Sequence, residues 1–147
     1  MGMEVYVPDR NLGISRSDMP QISSKDVPEF IKWLASNGVK VSRRKAHADS
    51  LSATQKEINQ SKVEALASKP SNRGHLEKPV IISRDNYLMD GHHRWMALLT
   101  MDKDAVIPVV QVNLKIRDLL TMANNFGGVQ RKDLVASILK IAHDILD

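Results

Sequence analysis

The chain has 147 residues, of which 42% are hydrophobic, 26% charged and 4% aromatic, with a net charge of +4 and a pI near 9.4. This length and balance are typical of a single globular domain with a mostly aliphatic core, and they argue against a disordered or fibrous protein. The chain contains no cysteine, which excludes disulfides, thiolate nucleophiles and zinc–thiolate sites.

No stretch approaches the roughly 20 consecutive apolar residues that a membrane span requires, and the N-terminal residues lack the apolar run of a signal peptide. We therefore expect a cytoplasmic protein that has no membrane partner. The mild positive charge favours a polyanionic partner such as DNA only slightly. The one local basic cluster, Arg43-Arg44-Lys45, is interpreted first as the solvated edge of a strand and second as a DNA contact.

The first part of the chain predicts an irregular segment, a helix and a strand, in that order. Residues 1–24 contain Pro, Gly and Ser without apolar periodicity and are expected to form an irregular N-terminal arm. The apolar spacing that follows Ser24 predicts an amphipathic helix with serine as its N-cap and Gly38 just past its end. Residues 39–48 then have the composition of a short strand.

A second helix is predicted from about Ser61. The segment 69–78, with Pro70, Gly74 and the following Pro79, is expected to be a loop that is mobile or covers a site. The apolar runs at residues 79–83 and 87–89 flank turn residues and predict a β-hairpin. A further helix must start directly after Asp90-Gly91, because the apolar residues that follow have helical spacing.

Residues 106–112 predict a strand, in which Pro108 indicates an edge or a bulge. Helical spacing returns in the next segment and ends at Gly127-Gly128, and a last amphipathic helix is predicted within residues 129–147. Helices and strands thus interleave, which predicts a mixed α/β (α+β) domain over residues 25–128 with a small mixed sheet and flanking helices. The C-terminal helix packs on the domain in this prediction, or joins two copies into an oligomer.

The segment Asp90-Gly91-His92-His93-Arg94 at the strand-to-helix junction carries the main chemical signal. A glycine at the start of a helix lets the backbone approach a ligand, and the first helical N–H groups have no partners within the helix. These groups and the positive end of the helix dipole favour a phosphate, which also matches the planar fork of Arg94. His92 and His93 add two titratable donors. We therefore predict that phosphate is bound by Gly91, His92, His93 and Arg94.

Asp90 and Glu57 are the two carboxylates with a candidate role in catalysis. Asp90 would repel an incoming phosphate unless a cation lies between them or the carboxylate acts as a base, so it is predicted to hold Mg²⁺ when the ligand is a nucleotide. In the alternative, Asp90 merely caps the helix and the histidines are solvated. Glu57 precedes the second helix, where it is either a capping or surface residue or a catalytic one.

Several segments of the chain together resemble the ParB/sulfiredoxin-like superfamily. They are Leu51 to Glu57, Lys62-Val63, Lys78 to Ile82, Asp90 to Arg94 and Ala97-Leu98. The resemblance covers residues 45–115, and the whole chain is similar to the small stand-alone ParB-like nuclease-domain proteins that phages often encode. It implies the ParB/sulfiredoxin-like fold for this domain.

In that superfamily the glycine-led helix start binds nucleotide phosphates, so the resemblance implies ATP, ADP or CTP as a ligand, together with Mg²⁺. Sulfiredoxins need a cysteine directly after this glycine; His92 stands there instead, which rules out sulfinic acid reduction. The junction is most similar to that of the free-serine-kinase members, in which a carboxylate near the position of Glu57 is the expected general base. The catalytic candidates are therefore Glu57, Asp90, His92 and His93.

These residues support three functional hypotheses. The leading one is an enzyme that binds a nucleotide with Mg²⁺ and either hydrolyses it or transfers a phosphoryl group to a small hydroxyl acceptor. The second is a ParB-like nuclease or DNA-binding protein, in which the Asp90–Arg94 junction binds a backbone phosphate and the Arg43–Lys45 cluster binds further phosphates along the DNA. The third is a non-catalytic module that senses nucleotides.

Overall fold

The computed structural model describes residues 4–8, 11–15, 18–20, 22, 24–56, 58–69, 71 and 73–127. Within these ranges the helices are α1 (Val27–Ser36), α2 (Gln60–Ala67), α3 (Arg73–Leu76), α4 (His92–Met101) and α5 (116–127). The strands are β1 (Val41–His47), β2 (Val80–Ile82), β3 (Leu88–Asp90) and β4 (Val106–Val112). Glu57 and the predicted C-terminal helix of residues 129–147 lie outside the described residues.

The four strands of the described residues form one mixed sheet in the order β1-β4-β2-β3. β1 pairs with β4 and β2 pairs with β3 in antiparallel fashion, whereas β2 and β4 are parallel. The prediction of a mixed α+β domain with a small mixed sheet and flanking helices is therefore confirmed, as is the hairpin of β2 and β3. No helix in the described part of the chain is long and apolar enough to cross a membrane.

Helices cover both faces of this sheet, because residues that alternate along a strand point to opposite sides. In β4, Val109 belongs to one apolar cluster with Trp95 of α4, while the adjacent Val110 belongs to the other with Phe30 of α1. All three residues of β2 are buried for the same reason. α2 and α4 thus form one helical layer, and α1 and α5 form the other.

Pro108 is expected to mark an edge strand or a bulge, whereas β4 lies between β1 and β2 and pairs with β1 in continuous register. Pro108 pairs in register with Lys45 of β1. On the opposite side, the pairing with β2 begins only at Val109, which faces Val80. β4 therefore has a single neighbouring strand at Pro108, and the absent N–H of proline removes no bond to β2.

The basic cluster Arg43-Arg44-Lys45 lies on β1, which is the outermost strand at its end of the sheet. All three residues are exposed. The interpretation of this cluster as an exposed strand edge is confirmed by this placement, and the alternative of a DNA contact stays a prediction.

The helices differ from the predicted ones in two respects: the start of α1 and the presence of α3. α1 begins at Val27, after a turn of 3-10 helix, with Asp26 rather than a serine at the N-cap position. The segment 69–78, predicted to be a loop, contains α3, whose Leu76 is fully buried. A helix of four residues is one turn long, which is too short for apolar periodicity to reveal.

The described parts of the N-terminal arm are docked on the domain. The N–H of Tyr6 donates to Thr100 Oγ1 at 2.9 Å, and the Tyr6 ring lies edge-on to Trp95 with the ring centroids 5.7 Å apart. Farther along the arm, Ile14 forms a parallel bridge with Gln55. The arm therefore contacts both α4 and the segment that leads into α2.

We predict that Trp95→Phe lowers the free energy of unfolding by about 2–4 kcal/mol, because it leaves a gap in the core and removes a hydrogen-bond donor. The Trp95 side chain is fully buried, and its Nε1–H donates to the carbonyl of Ala48 at 2.6 Å. Urea unfolding followed by circular dichroism measures the loss. The control is Trp33→Phe at a half-buried position, which should cost less than about 1 kcal/mol. Equal losses for the two variants would contradict this role of Trp95.

Candidate functional site

The turn from β3 into α4 is made by Gly91 alone, since β3 ends at Asp90 and α4 begins at His92. The φ angle of Gly91 is +94°, in the left-handed region. A Cβ atom here would lie 2.6 Å from Cγ1 of Val80 in β2, closer than two non-bonded carbon atoms can approach. Glycine is therefore required both by its backbone angle and by its contact with the neighbouring strand. The predicted strand-to-helix junction is confirmed.

The N-terminus of α4 opens into a cleft of about 310 Å³. The basic and titratable nitrogen side chains that line this cleft are Lys62, His75, His92, His93 and Arg94. Asp90 is the one acidic residue in the described lining. The surplus of basic groups adds to the positive end of the helix dipole, so the cleft favours anions.

His92 is buried and acts as a hydrogen-bond acceptor. Its Nε2 atom accepts the backbone N–H of Thr54 at 3.0 Å and that of Gln55 at 3.3 Å. Burial, followed by the nearby charge of His93, lowers the pKa of His92 from 6.5 to about 4. At neutral pH the ring is therefore an uncharged acceptor that holds the backbone of residues 54–55, instead of the titratable donor that the sequence suggested.

His93 is half-buried and connects the starts of two helices. Its Nε2 atom accepts the N–H of Asn59 at 3.4 Å, and the Asn59 side chain caps α2 by accepting the N–H of Lys62 at 3.1 Å. The Lys62 side chain lines the cleft in front of α4. The N-terminal turns of α2 and α4 are thus placed next to the same cleft.

Asp90 is half-buried at the end of β3. Its pKa is raised by burial, an effect that the positive charge of Arg94 and the N–H of Gly91 partly offset. No group of three or more His, Asp or Glu residues that could hold a metal ion is found in the described part of the chain. The described residues therefore do not form a metal site by themselves, and the role of Asp90 in holding Mg²⁺ stays a prediction.

The guanidinium group of Arg94 anchors the residues that lead into β2. Its Nη1 donates to the carbonyl of Lys78 at 3.1 Å and its Nη2 to the carbonyl of Pro79 at 3.4 Å. None of the ion pairs found among the described residues joins Arg94 to Asp90. These two bonds use two of the five N–H groups of an arginine, which leaves donors for a ligand in the cleft.

The structure therefore brings together all the predicted site residues that it describes: Asp90, Gly91, His92, His93 and Arg94. Glu57 lies outside the described residues, and its role remains a prediction. The nearby Gln55 lines the cleft.

Sequence reasoning did not identify His75 of α3 or Met19 and Pro20 of the N-terminal arm, all of which line the cleft. These residues belong to segments without apolar periodicity, so no pattern in the sequence linked them to the junction.

We predict that Gly91→Ala destabilises the protein by about 2–4 kcal/mol, from the positive φ and the clash with Val80 together. The matched control is Gly38→Ala, because Gly38 has a φ of +79° but no atom within 4 Å of its Cβ position. Gly38→Ala should lower the free energy of unfolding by about 1–2 kcal/mol, which is the cost of the positive φ angle without a steric clash. Thermal and urea unfolding measure both losses. Equal losses would show that the contact with Val80 is relaxed at no cost.

We further predict that the protein loses stability on acidification between pH 6.5 and about 4, the two pKa values of His92 in the unfolded and folded states. The unfolded chain binds a proton in this window that the folded chain does not, so stability is fully present above pH 6.5 and falls as the pH is lowered. The loss due to His92 amounts to about 3 kcal/mol. Urea unfolding at a series of pH values should show a shallower dependence for His92→Gln, whereas His47→Gln, at an exposed position, should keep the parent slope. Identical slopes for His92→Gln and the parent would contradict the neutral buried state.

Comparison of the chain with protein-family models, with curated proteins and with solved structures found no match.

Proposed function

We propose that this protein binds the phosphate groups of a nucleotide, with Mg²⁺, in the cleft at the N-terminus of α4 and carries out phosphate-ester chemistry there. The reaction is either hydrolysis of the nucleotide or transfer of a phosphoryl group to a small hydroxyl acceptor. The proposal includes membership of the ParB/sulfiredoxin-like superfamily, in which the corresponding helix start binds nucleotide phosphates.

The observation that carries this proposal is the convergence of basic groups on an uncapped helix start. Gly91 has no side chain to occupy the first turn of α4, and no side-chain cap bond is made there. Lys62, His93 and Arg94 reach the same cleft from two different helices. The N–H groups of a helix start, the helix dipole and flanking cations are the features with which proteins bind phosphate.

The acidic groups fit the chemistry of phosphoryl transfer. In a transfer, the acceptor oxygen bonds to the terminal phosphorus, the bond from that phosphorus to the bridging oxygen breaks, and the hydroxyl proton passes to a carboxylate. Asp90 is a candidate for this proton or for Mg²⁺, because burial raises its pKa and makes it a better base. Glu57 is the second candidate base, as the resemblance to free-serine kinases implies. When bound, Mg²⁺ would neutralise charge on the phosphate oxygens.

A second candidate function, binding or cleavage of DNA, is favoured by the exposed basic residues of β1. A DNA backbone that follows these residues to the cleft would make phosphate contacts along the sheet. Binding that weakens steeply with salt and does not compete with nucleotide would support this function. Nucleotide binding without turnover would support the third, non-catalytic function.

We predict that MgATP or inorganic tripolyphosphate raises the melting temperature of the parent protein and binds in isothermal titration. Lys62→Ala should weaken this binding about tenfold, because a charge-assisted contact to phosphate is lost. The matched control is Lys69→Ala, which removes an exposed lysine just after α2 that does not line the cleft. Equal effects of the two variants would contradict a phosphate site in the cleft.

Arg94→Lys separates ligand binding from anchoring of the chain. A lysine keeps the charge but cannot form the planar fork, so affinity for tripolyphosphate should fall about tenfold. Arg94 also holds the carbonyls of residues 78 and 79, so the melting temperature should be measured in parallel. A large loss of stability with unchanged affinity for every phosphate ligand would assign Arg94 to structure alone.

A further inference from the structure

A second cavity of about 550 Å³ adjoins the phosphate cleft on the face of the sheet that α1 covers. We call it the groove. The two cavities share His75, Asp90 and Arg94 in their linings. A ligand whose phosphate lies in the cleft can therefore continue into the groove without leaving the protein surface.

The floor of the groove is a single row of residues that crosses all four strands. Arg43 of β1 pairs with Val110 of β4, which pairs with Ile81 of β2, which pairs with Asp90 of β3. All four line the groove. Neighbouring strands are about 4.8 Å apart, so three spacings place the backbone of Arg43 about 14 Å from that of Asp90.

The middle of the groove is aliphatic. Between the two charged ends, its floor consists of Val110 and Ile81, and its wall contains Val27 and Ile31 of α1. The described lining contains no Phe, Tyr or Trp, and its one aromatic ring, that of His75, belongs to the residues shared with the phosphate cleft. Proteins bind single-stranded nucleic acid by stacking its bases on aromatic side chains, so the aliphatic middle of the groove is better suited to an aliphatic chain than to a base.

The far end of the groove is positive because of Arg43. The next residue, Arg44, faces the opposite side of the sheet, where it donates to Gln111 Oε1 and Asn86 Oδ1. Arg43 takes part in none of the ion pairs found among the described residues. An anionic group at that end of a ligand would complement this charge.

We propose that the groove binds the body of the acceptor, and that this acceptor is an aliphatic hydroxyl compound with a second anionic group at its far end. Its hydroxyl lies at Asp90, its chain lies over Ile81 and Val110, and its anionic end pairs with Arg43. This inference depends on the proposed function for the phosphate end of the ligand. It adds the chemical class of the acceptor.

Three stable phosphonates test the proposal by isothermal titration against the full-length protein. Methylphosphonate reports on the phosphate cleft alone, octylphosphonate adds an aliphatic chain, and phosphonooctanoate, with its phosphonate and carboxylate at opposite ends, adds the second anion. Octylphosphonate should bind roughly tenfold or more tightly than methylphosphonate, because the chain buries apolar surface. Phosphonooctanoate should bind about fivefold more tightly again, because the carboxylate gains a charged partner.

Two pairs of variants show where on the protein the chain and the carboxylate of these ligands bind. Arg43→Ala should remove the advantage of phosphonooctanoate over octylphosphonate, whereas Lys45→Ala, on the same exposed strand but outside the groove, should keep it. Ile31→Ser should reduce the advantage of octylphosphonate over methylphosphonate. Ala35→Ser, one turn farther along α1 and outside the groove, should leave that advantage unchanged.

The outcomes distinguish failure of this proposal from failure of the proposed function. If methylphosphonate and inorganic phosphate bind but neither longer phosphonate binds more tightly, the groove is not a ligand site and the proposal is overturned. The proposal would also be overturned if phosphonooctanoate kept its higher affinity in Arg43→Ala and octylphosphonate kept its higher affinity in Ile31→Ser. The aliphatic chain would then lie outside the groove. If no phosphonate and no phosphate bind, the phosphate cleft itself fails and the acceptor site falls with it.

Discussion

The close approach of Gly91 to Val80 is the contact on which the geometry of the site depends. Because no side chain separates the two residues, the first turn of α4 sits directly against β2. The following turns are buried in the core around Trp95. A helix buried in this way can present its N-terminal N–H groups only at its start, next to the end of β3. The start of α4, where we propose that phosphate binds, is therefore fixed by packing beside residues of α2, α3 and the N-terminal arm.

The burial of His92 extends this constraint to the segment that leads into α2. Two backbone N–H groups at residues 54 and 55 would lack partners so deep in the protein, and the imidazole Nε2 satisfies both. Thr54 is held a second time, because its hydroxyl donates to the carbonyl of Leu88 at 2.6 Å. His93 then fixes Asn59 at the N-cap of α2. The adjacent histidines thus have distinct structural roles: His92 holds the backbone before α2, and His93 holds the N-cap of α2. Both contacts fix the start of α2, from which Lys62 lines the cleft.

The positions of the charged residues say more about the kind of ligand than the net charge of +4 does. Two of the acidic residues near α4, Glu77 and Asp102, are paired with Arg73 away from the cleft, at 2.6 and 3.0 Å. The cleft itself contains basic groups around one half-buried carboxylate, Asp90. Arg43 adds a second positive position at the other end of the sheet row. An elongated ligand with anions at both ends fits this arrangement, whereas a uniformly basic surface would select only for total charge.

Local patterns in the sequence determined the helices and strands of the described core apart from α3, the β2–β3 hairpin, and the strand-to-helix junction at Gly91. These features depend on the spacing of apolar residues and on turn residues within a few positions of each other, so they can be read without knowledge of the fold. Tertiary structure alone decided that β4 is an interior strand, that His92 is a buried acceptor, and that Arg43 and Asp90 end the same row of the sheet. The reason is physical: strand order, register and burial are set by contacts between segments far apart in sequence, and no local pattern encodes them.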